Sequence, residues 1–491
     1  MLVCSPMYMS VNSYLKNGKY LTLAQAFAII FGLLSQVLLT KNLDLGNYGA
    51  FILIIDISLT FAIFIDFGVP TWASREWDGK GDSVKNLVKN IINIEIYNFL
   101  IILIITISII FLTDIKNNIP VTVIVISSYI VILTEPMRLG FRMVKKPKFE
   151  AISRIMERFF TFILYFLLSE INRLDFLMAS FAIFTSTCIT FIITSLIFYY
   201  KINNKTGREY DFKYFQTLKQ SLPFTLALAV YPLLVRVDKV ILGIMETVET
   251  VGIYNVGWIV ISVGFSISSI LRLSINPLLA NKKNKTDRLT VIRNTRYLTF
   301  GLILIGIPIC IFLSFNFMDI LFPSEYIGSD SLYLLSGHNL VIAMMPSWIW
   351  SMLCASNLEN TKFEKNMWTF SRILIITIMI NAIVDLILIS KFSIFGIILG
   401  TTLAQFICYI LLTKNEGYNE DETWIIRNEF ISGILMSFGL ITYAIIDNGL
   451  WKNSFQIYSI IIFLMGYFLM GKILFNILKK QKMINILLLE T

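Results

Sequence analysis

The sequence has 491 residues, 56% of them hydrophobic and only 15% charged, with a formal net charge of +9. A soluble domain does not have this composition, whereas a chain that crosses a membrane many times does. The positive charge comes without a soluble basic module or a basic–aromatic array, which argues against a nucleic-acid partner. The five cysteines (Cys4, Cys188, Cys310, Cys354, Cys408) form no CxxC pair and no Cys/His cluster, so neither a zinc site nor a disulfide framework is indicated.

At about twenty apolar residues per span, the chain offers about fourteen candidate helices. They lie near 21–40, 47–67, 89–113, 119–136, 152–168, 176–200, 221–242, 251–279, 298–315, 331–355, 369–390, 394–413, 425–446 and 453–478. The expected fold class is therefore an all-α polytopic membrane protein. The first apolar run lacks a convincing cleavage site and reads as an uncleaved span. The fifth is the most charged, with Arg154, Glu157 and Arg158 in its first turns. With the N-terminus placed in the cytoplasm, the outer connectors hold few basic residues: Lys41, Lys116, Arg173, Lys391 and Lys452. The inner ones hold most of the rest, including Arg138, Arg142, Lys145, Lys146 and Lys148 in one loop and Lys282, Lys283, Lys285 and Arg288 in another. This asymmetry predicts that both termini are cytoplasmic and that the protein lies in the cell (inner or plasma) membrane.

A repeat organises the chain. Gly46-x-Tyr48 is followed by a helix ending at Asp66-Phe-Gly-Val-Pro70, and Gly252-x-Tyr254 by one ending near Arg272 and Pro277. The copies stand about 206 residues apart, a period found in transporters built from parallel repeats. The expected organisation is an N-terminal lobe (1–205, spans one to six), a C-terminal lobe (206–415, spans seven to twelve) and a terminal helix pair (416–491). No connector is long enough to fold as a soluble domain.

Charges inside apolar spans are costly and mark functional positions by default. In span seven, Arg236 and Lys239 are three apart and share a helix face, while Asp238 points about 100° away from Lys239. Pro232, one turn earlier, removes a helical hydrogen bond and kinks the span. A kinked helix with two cations on one face suits a cavity for an anion. A structural Arg–Asp or Lys–Asp pair, or Lys239 reaching for the outer interface, is the plainer alternative. Asp238 serves either to hold a cation or to carry protons. In span five, Arg154 and Arg158 suggest a vestibule for a negatively charged headgroup. The alternative there is an interfacial helix start with an i,i+3 pair between Arg154 and Glu157. Arg272 occupies the repeat position of Asp66, which suggests a salt bridge closing the cytoplasmic side. Asp56 and Glu95 are candidates to bind a coupling ion, proton or sodium, with Asp385 ranking below them. His338, the single histidine, reads as an interfacial side chain rather than a proton sensor, and Trp348 and Trp350 as packing rather than a sugar-binding face.

The short outer connectors, and a Glu246/Glu249 turn with no metal-ligand partner, speak against a membrane enzyme such as a polymerase or glycosyltransferase. No GxxxxGK[ST] loop is present for direct ATP hydrolysis. The chain is expected not to be an enzyme. An ion-coupled small-molecule (multidrug-type) exporter remains the alternative transporter.

Several stretches resemble the polysaccharide (O-antigen) flippase family, Wzx type, of the multidrug/oligosaccharidyl-lipid/polysaccharide exporter (MOP) superfamily. They are GNYGAF and DFGVPTWASRE in the first hairpin, and SLPFTLALAVYPLLVRVDKVIL, VGIYNVGWIV and INPLLA in spans seven and eight. LFPSEYIGSDSLYLL before span ten and FGIILGTTLAQ in span twelve complete the ordered set. The resemblance implies a V-shaped two-lobe transporter whose central cavity is lined by spans one, two, seven and eight. Its cargo would be an oligosaccharide joined by a diphosphate to a polyprenol, turned from the cytoplasmic to the outer leaflet by alternating access. Arg236, and with it Lys41, Asp238, Lys239 and Arg272, would face the cavity. The partners implied are that lipid-linked oligosaccharide, membrane lipids, and a polysaccharide polymerase with its chain-length machinery. No cofactor is expected beyond a coupling proton or sodium ion. Span one has Gln25 and Gln36 but no arginine in its apolar body, which departs from the flippases of lipid-linked peptidoglycan precursors in the same superfamily.

Overall fold

The computed structural model describes residues 11–77, 83–112, 118–202, 212–280, 285–326, 337–364, 367–413, 420–447 and 454–480. Among these residues the chain is helical throughout and contains no strand. It divides into two compact units, residues 1–43 with 54–228 and residues 44–53 with 229–491.

In the first unit, α1 (Val11–Asn42) lies along α7 (Pro147–Glu170). Phe31 packs against Phe159 and Phe162 at ring separations of 5.3 and 5.7 Å, and Asn42 donates to Ser169 Oγ at 3.0 Å. The second predicted span is broken into α2 (Leu45–Phe61), α3 (Ile63–Asp66) and α4 (Val69–Glu76). The sequence Asp-Phe-Gly-Val-Pro dictates the break. Phe67 and Gly68 both take left-handed backbone, at φ 45° and 66°, and Pro70 then sits where a helix tolerates it, in the first turn of α4.

Polar groups freed by the break find partners. Gly68 N–H donates to Asp66 Oδ1 at 2.9 Å, Asn98 donates to the Ile65 carbonyl at 3.0 Å, and Thr225 Oγ1 donates to the Phe67 carbonyl at 2.6 Å. A Cβ on Gly68 would approach Thr225 N to 2.5 Å. Gly68→Ala is therefore expected to cost the left-handed penalty of about 1–2 kcal/mol plus this overlap. A thermal melt in detergent that leaves Gly68→Ala as stable as wild type would refute this.

The unit continues through α5 (Val84–Leu112), α6 (Asn118–Met143), α7 and α8 (Phe176–Lys201). Lys145 in the left-handed region (φ 60°) and Pro147 at the head of α7 turn the chain between α6 and α7. Asp175 caps α8 by accepting from Met178 N at 2.7 Å. An apolar cluster of Ala62, Ile65, Ile110, Val121, Val125 and Tyr129 fills the space between α2–α3, α5 and α6.

The second unit takes the first turns of α2, the later part of α9 (Tyr214–Met245), α10 (Val248–Ala280) and α11 (Lys285–Leu321). A short 3-10 turn, Ser324–Tyr326, precedes α12 (Gly337–Glu364) and α13 (Met367–Thr413). Ser393 breaks α13 at φ 46°, so it carries two predicted spans. The chain ends with α14 (Glu420–Asp447) and α15 (Ser454–Lys480). These two pack closely, Ser432 Oγ donating to the Gly466 carbonyl at 2.6 Å. Arg296 on α11 faces Glu429 on α14 at 3.7 Å, and both side chains are buried.

Among the described residues ten helices are long and apolar enough to cross a membrane, so the protein is a multi-pass membrane protein. The shortfall from about fourteen lies in α7, α9 and α12, which are not among the ten, and in α13, which counts once.

Candidate functional site

Asp238 on α9 is wholly buried, and its carboxylate collects donors from α10 and from both halves of α13. Tyr254 and Thr401 donate to Oδ2 at 2.8 and 2.6 Å, and Asn381 donates to Oδ1 at 2.7 Å. The Asn381 nitrogen also donates to Asp385 Oδ2 at 3.2 Å. An amide nitrogen carries two hydrogens, so one side chain bridges both carboxylates. Asn381 and Asp385 stand one turn apart on the same face, and Asp385 is as buried as Asp238. Gly400 makes room for it, because a Cβ there would fall on Asp385 Oδ1.

Asp385 Oδ1 and Asn381 Oδ1 have no hydrogen-bond partner. Among the described residues no Lys or Arg pairs with either carboxylate. Two buried carboxylates held by one amide cannot both stay ionised without a compensating positive charge, either a proton on one of them or a bound cation. The surrounding atoms are oxygens of two carboxylates, an amide and a hydroxyl, a donor set for a hard cation. No group of three or more His, Cys, Asp or Glu side chains occurs among the described residues. Thr401 has one hydroxyl hydrogen and two acceptors, Asp238 Oδ2 and the Ile397 carbonyl at 3.0 Å. Turning that hydrogen to Ile397 frees an oxygen lone pair beside the carboxylates.

The two Gly-x-Tyr copies meet beside this site. The backbone of Gly49 lies against Val248, and Asn255 donates to Tyr48 OH at 2.7 Å. The tyrosines do different work: Tyr254 serves the carboxylate, while Tyr48 receives Asn255 and packs edge-on against Tyr326 at 5.5 Å. Burial, with the nearby carboxylates of Glu325 and Asp44, raises the Tyr326 phenol above its ordinary pKa.

Of the residues singled out from the sequence, Asp238 and Asp385 come together here. Arg236 is partly buried and Lys239 is buried, both on the same helix as Asp238. Lys41 is exposed in the last turn of α1, and Asp56 is buried on α2. Arg272 belongs to α10, but its side chain, and with it the suggested bridge to Asp66, lies outside the described residues.

The charged cluster in the first unit differs from expectation. Arg138 is not in a loop: it sits in α6, 1% exposed, and donates to Glu135 at 2.8 Å, Glu157 at 2.7 Å and Ser153 at 3.0 Å. The alternative Arg154–Glu157 pair does not form, because Arg138 takes Glu157. Arg154 instead reaches Glu135 at 3.1 Å and Glu150 at 3.3 Å, and Arg142 holds Glu150 at 2.6 Å. Arg158 is exposed, 4.0 Å from Glu157.

Trp348 and Trp350 are buried, Trp350 donating to Ser437 at 3.0 Å. His338 stacks on Phe315 at 4.5 Å. Sequence reasoning missed Tyr254, Asn381 and Thr401 as site residues; the i,i+4 spacing of Asn381 and Asp385 in an apolar span was the available signal.

A family model described as "Polysaccharide biosynthesis protein" matches residues 14–279. No curated protein matches the sequence. Among solved structures, lipid II flippase MurJ in an inward closed conformation is similar at TM-score 0.61 and 14% identity, covering 93% of this chain and 99% of that one. An outward-facing multidrug resistance MATE family transporter of the MOP superfamily is similar at TM-score 0.60 and 11% identity, over 82% of this chain and 95% of that one. A MOP superfamily transporter from Pyrococcus furiosus is similar at TM-score 0.56 and 11% identity, over the same shares.

Proposed function

The chain belongs to the polysaccharide biosynthesis protein family, and from that premise we propose that it is a flippase for a polyprenyl-diphosphate-linked oligosaccharide, such as an O-antigen or capsule repeat unit. The observation that carries this reading is the family match over α1 to α10, in a chain with the fold shared by MOP transporters and a lipid II flippase. That stretch includes the charged run Arg236, Asp238 and Lys239.

A diphosphate and a sugar chain cannot cross hydrocarbon unaided, since each buried charge costs several kcal/mol or more. Fixed cations replace the lost solvation, and the planar guanidinium of Arg236 suits a diphosphate. The lipid tail stays in the bilayer while the headgroup passes from the cytoplasmic to the outer leaflet of the cell membrane. Asp238, Asp385, Asn381 and Thr401 hold a monovalent coupling ion, which binds in one state of the cycle and leaves in another.

The same carboxylate pair is what an ion-coupled small-molecule exporter requires, so that reading is the one to test against. The test is a leaflet-accessibility assay in cells lacking the protein. Lipid-linked oligosaccharide is expected to accumulate on the cytoplasmic leaflet, with rescue by wild type and not by a normally expressed Arg236→Ala. Rescue by both would remove Arg236 from the cargo site. Normal outer-leaflet delivery without the protein, in a strain with no second flippase, would move the exporter forward.

A further inference from the structure

The first unit contains a second buried acid that neither the ion site nor the charged cluster uses. Glu95 on α5 is wholly buried, and both its carboxyl oxygens are without a hydrogen-bond partner. It stands beside the broken second span. One turn on, Asn98 ties α5 to that break by donating to the Ile65 carbonyl at 3.0 Å, and Asn98 is itself held by Tyr214 OH at 2.7 Å.

The acids on the neighbouring elements are Asp66, which ends α3 next to the Ile65 carbonyl that Asn98 holds, and Glu135 on α6. Glu135 has its own cations in Arg138 and Arg154, and Asp66 keeps one oxygen on Gly68 N–H. From α4, Arg75 and Glu76 are exposed, with Arg75 lying over the Phe224 ring; from α9 the neighbouring titratable group is Tyr214. No Lys or Arg among the described residues pairs with Glu95.

An ionised carboxylate with no donor, no cation and like charges around it is not tolerated in a low-dielectric interior. An acid that never needed its charge would serve no better there than an amide. A buried ionisable group beside a discontinuous helix is the arrangement by which membrane transporters bind ions. Among the described residues Glu135 is already held by Arg138 and Arg154, which leaves Asp66 as the neighbouring acid without a cation, a pair suited to a proton.

We propose that Glu95, with Asp66 beside it, is a proton-exchange site of the first unit, separate from the ion site at Asp238 and Asp385. Asp66 is partly exposed and gives the proton its way in. Exchange at Glu95 is set by the break at Phe67–Gly68, since the same break places Asp66 and orders Asn98.

Infrared difference spectra of the full-length protein in lipid nanodiscs, taken over a pH series, test this without any transport substrate. The proposal therefore stands or falls apart from the flippase reading. Wild type is expected to show a protonated carboxylic-acid carbonyl band that disappears as pH rises. Glu95→Gln should lose that band, Glu95→Asp should keep one at a shifted frequency, and Asp66→Asn should move its midpoint. If Glu95→Gln does not fold, the Glu95→Asp frequency shift and the Asp66→Asn midpoint carry the test. Spectra of Glu95→Gln that superimpose on wild type would overturn the proposal. So would a band removed by sodium at constant pH rather than by pH, or Glu95→Asp and Asp66→Asn spectra identical to wild type.

Discussion

Replacing Asp238 with asparagine is expected to cut the protein's response to sodium to half or less. In wild type, sodium at 100 times its dissociation constant stabilises the folded state by about 2.7 kcal/mol, visible as a rise in melting temperature that choline at equal ionic strength does not reproduce. Asp238→Asn keeps the size of the side chain and its place among Tyr254, Asn381 and Thr401. It removes one of two charges and opposes the Asn381 amide with another amide. Losing a charged ligand should weaken binding by at least the roughly 10–100-fold seen for groups around a metal's ligands. Thr401→Val removes one neutral oxygen and should fall in the lower part of that range. An undiminished sodium shift in Asp238→Asn would dismiss the ion site, while leaving the cargo reading to its own test.

Arg138→Met should be the most damaging change in the first unit. One guanidinium, almost without exposure, holds Glu135 and Glu157 together with Ser153. Its removal leaves two carboxylates short of a cation, and breaking a buried pair in this way costs about 3–5 kcal/mol. Arg154 stays on Glu135 and softens the loss on that side only. Arg158→Ala, by contrast, removes an exposed side chain 4.0 Å from its partner and should change stability by less than about 0.5 kcal/mol. Adding Glu157→Gln to Arg138→Met should recover part of the loss. Equal melting temperatures for Arg138→Met and Arg158→Ala would show that the cluster does not bear stability.

The two clusters show what the sequence could and could not convey. Asp238 was visible because a charge in an apolar span stands out whatever surrounds it. Its partners were not, because Tyr254, Asn381 and Thr401 are ordinary polar residues on apolar helices. Asn381 and Thr401 are brought to Asp238 from 143 and 163 positions away. The helical class and the break at Asp66–Pro70 were legible from local rules, since glycine and proline act on their own backbone. Arg154 with Glu157 failed for the opposite reason. Spacing along one helix suggested the pair, but Arg138 on the neighbouring helix offers Glu157 a buried guanidinium at 2.7 Å. Tertiary packing decides such competitions, and no window along the chain contains it.

The pairing of Arg296 with Glu429 has a consequence for how the protein is made. Glu429 is fully buried in α14 and neither of its oxygens has a hydrogen-bond partner, so Arg296 on α11 is the charge that accommodates it. During synthesis α11 leaves the ribosome before α14, so the arginine is already in the bilayer when the glutamate arrives. The Ser432 bond to Gly466 holds α14 and α15 together as a hairpin. In the full-length protein in membranes, α14 should therefore resist protease when Arg296 is present and be cut more readily when Arg296 is alanine.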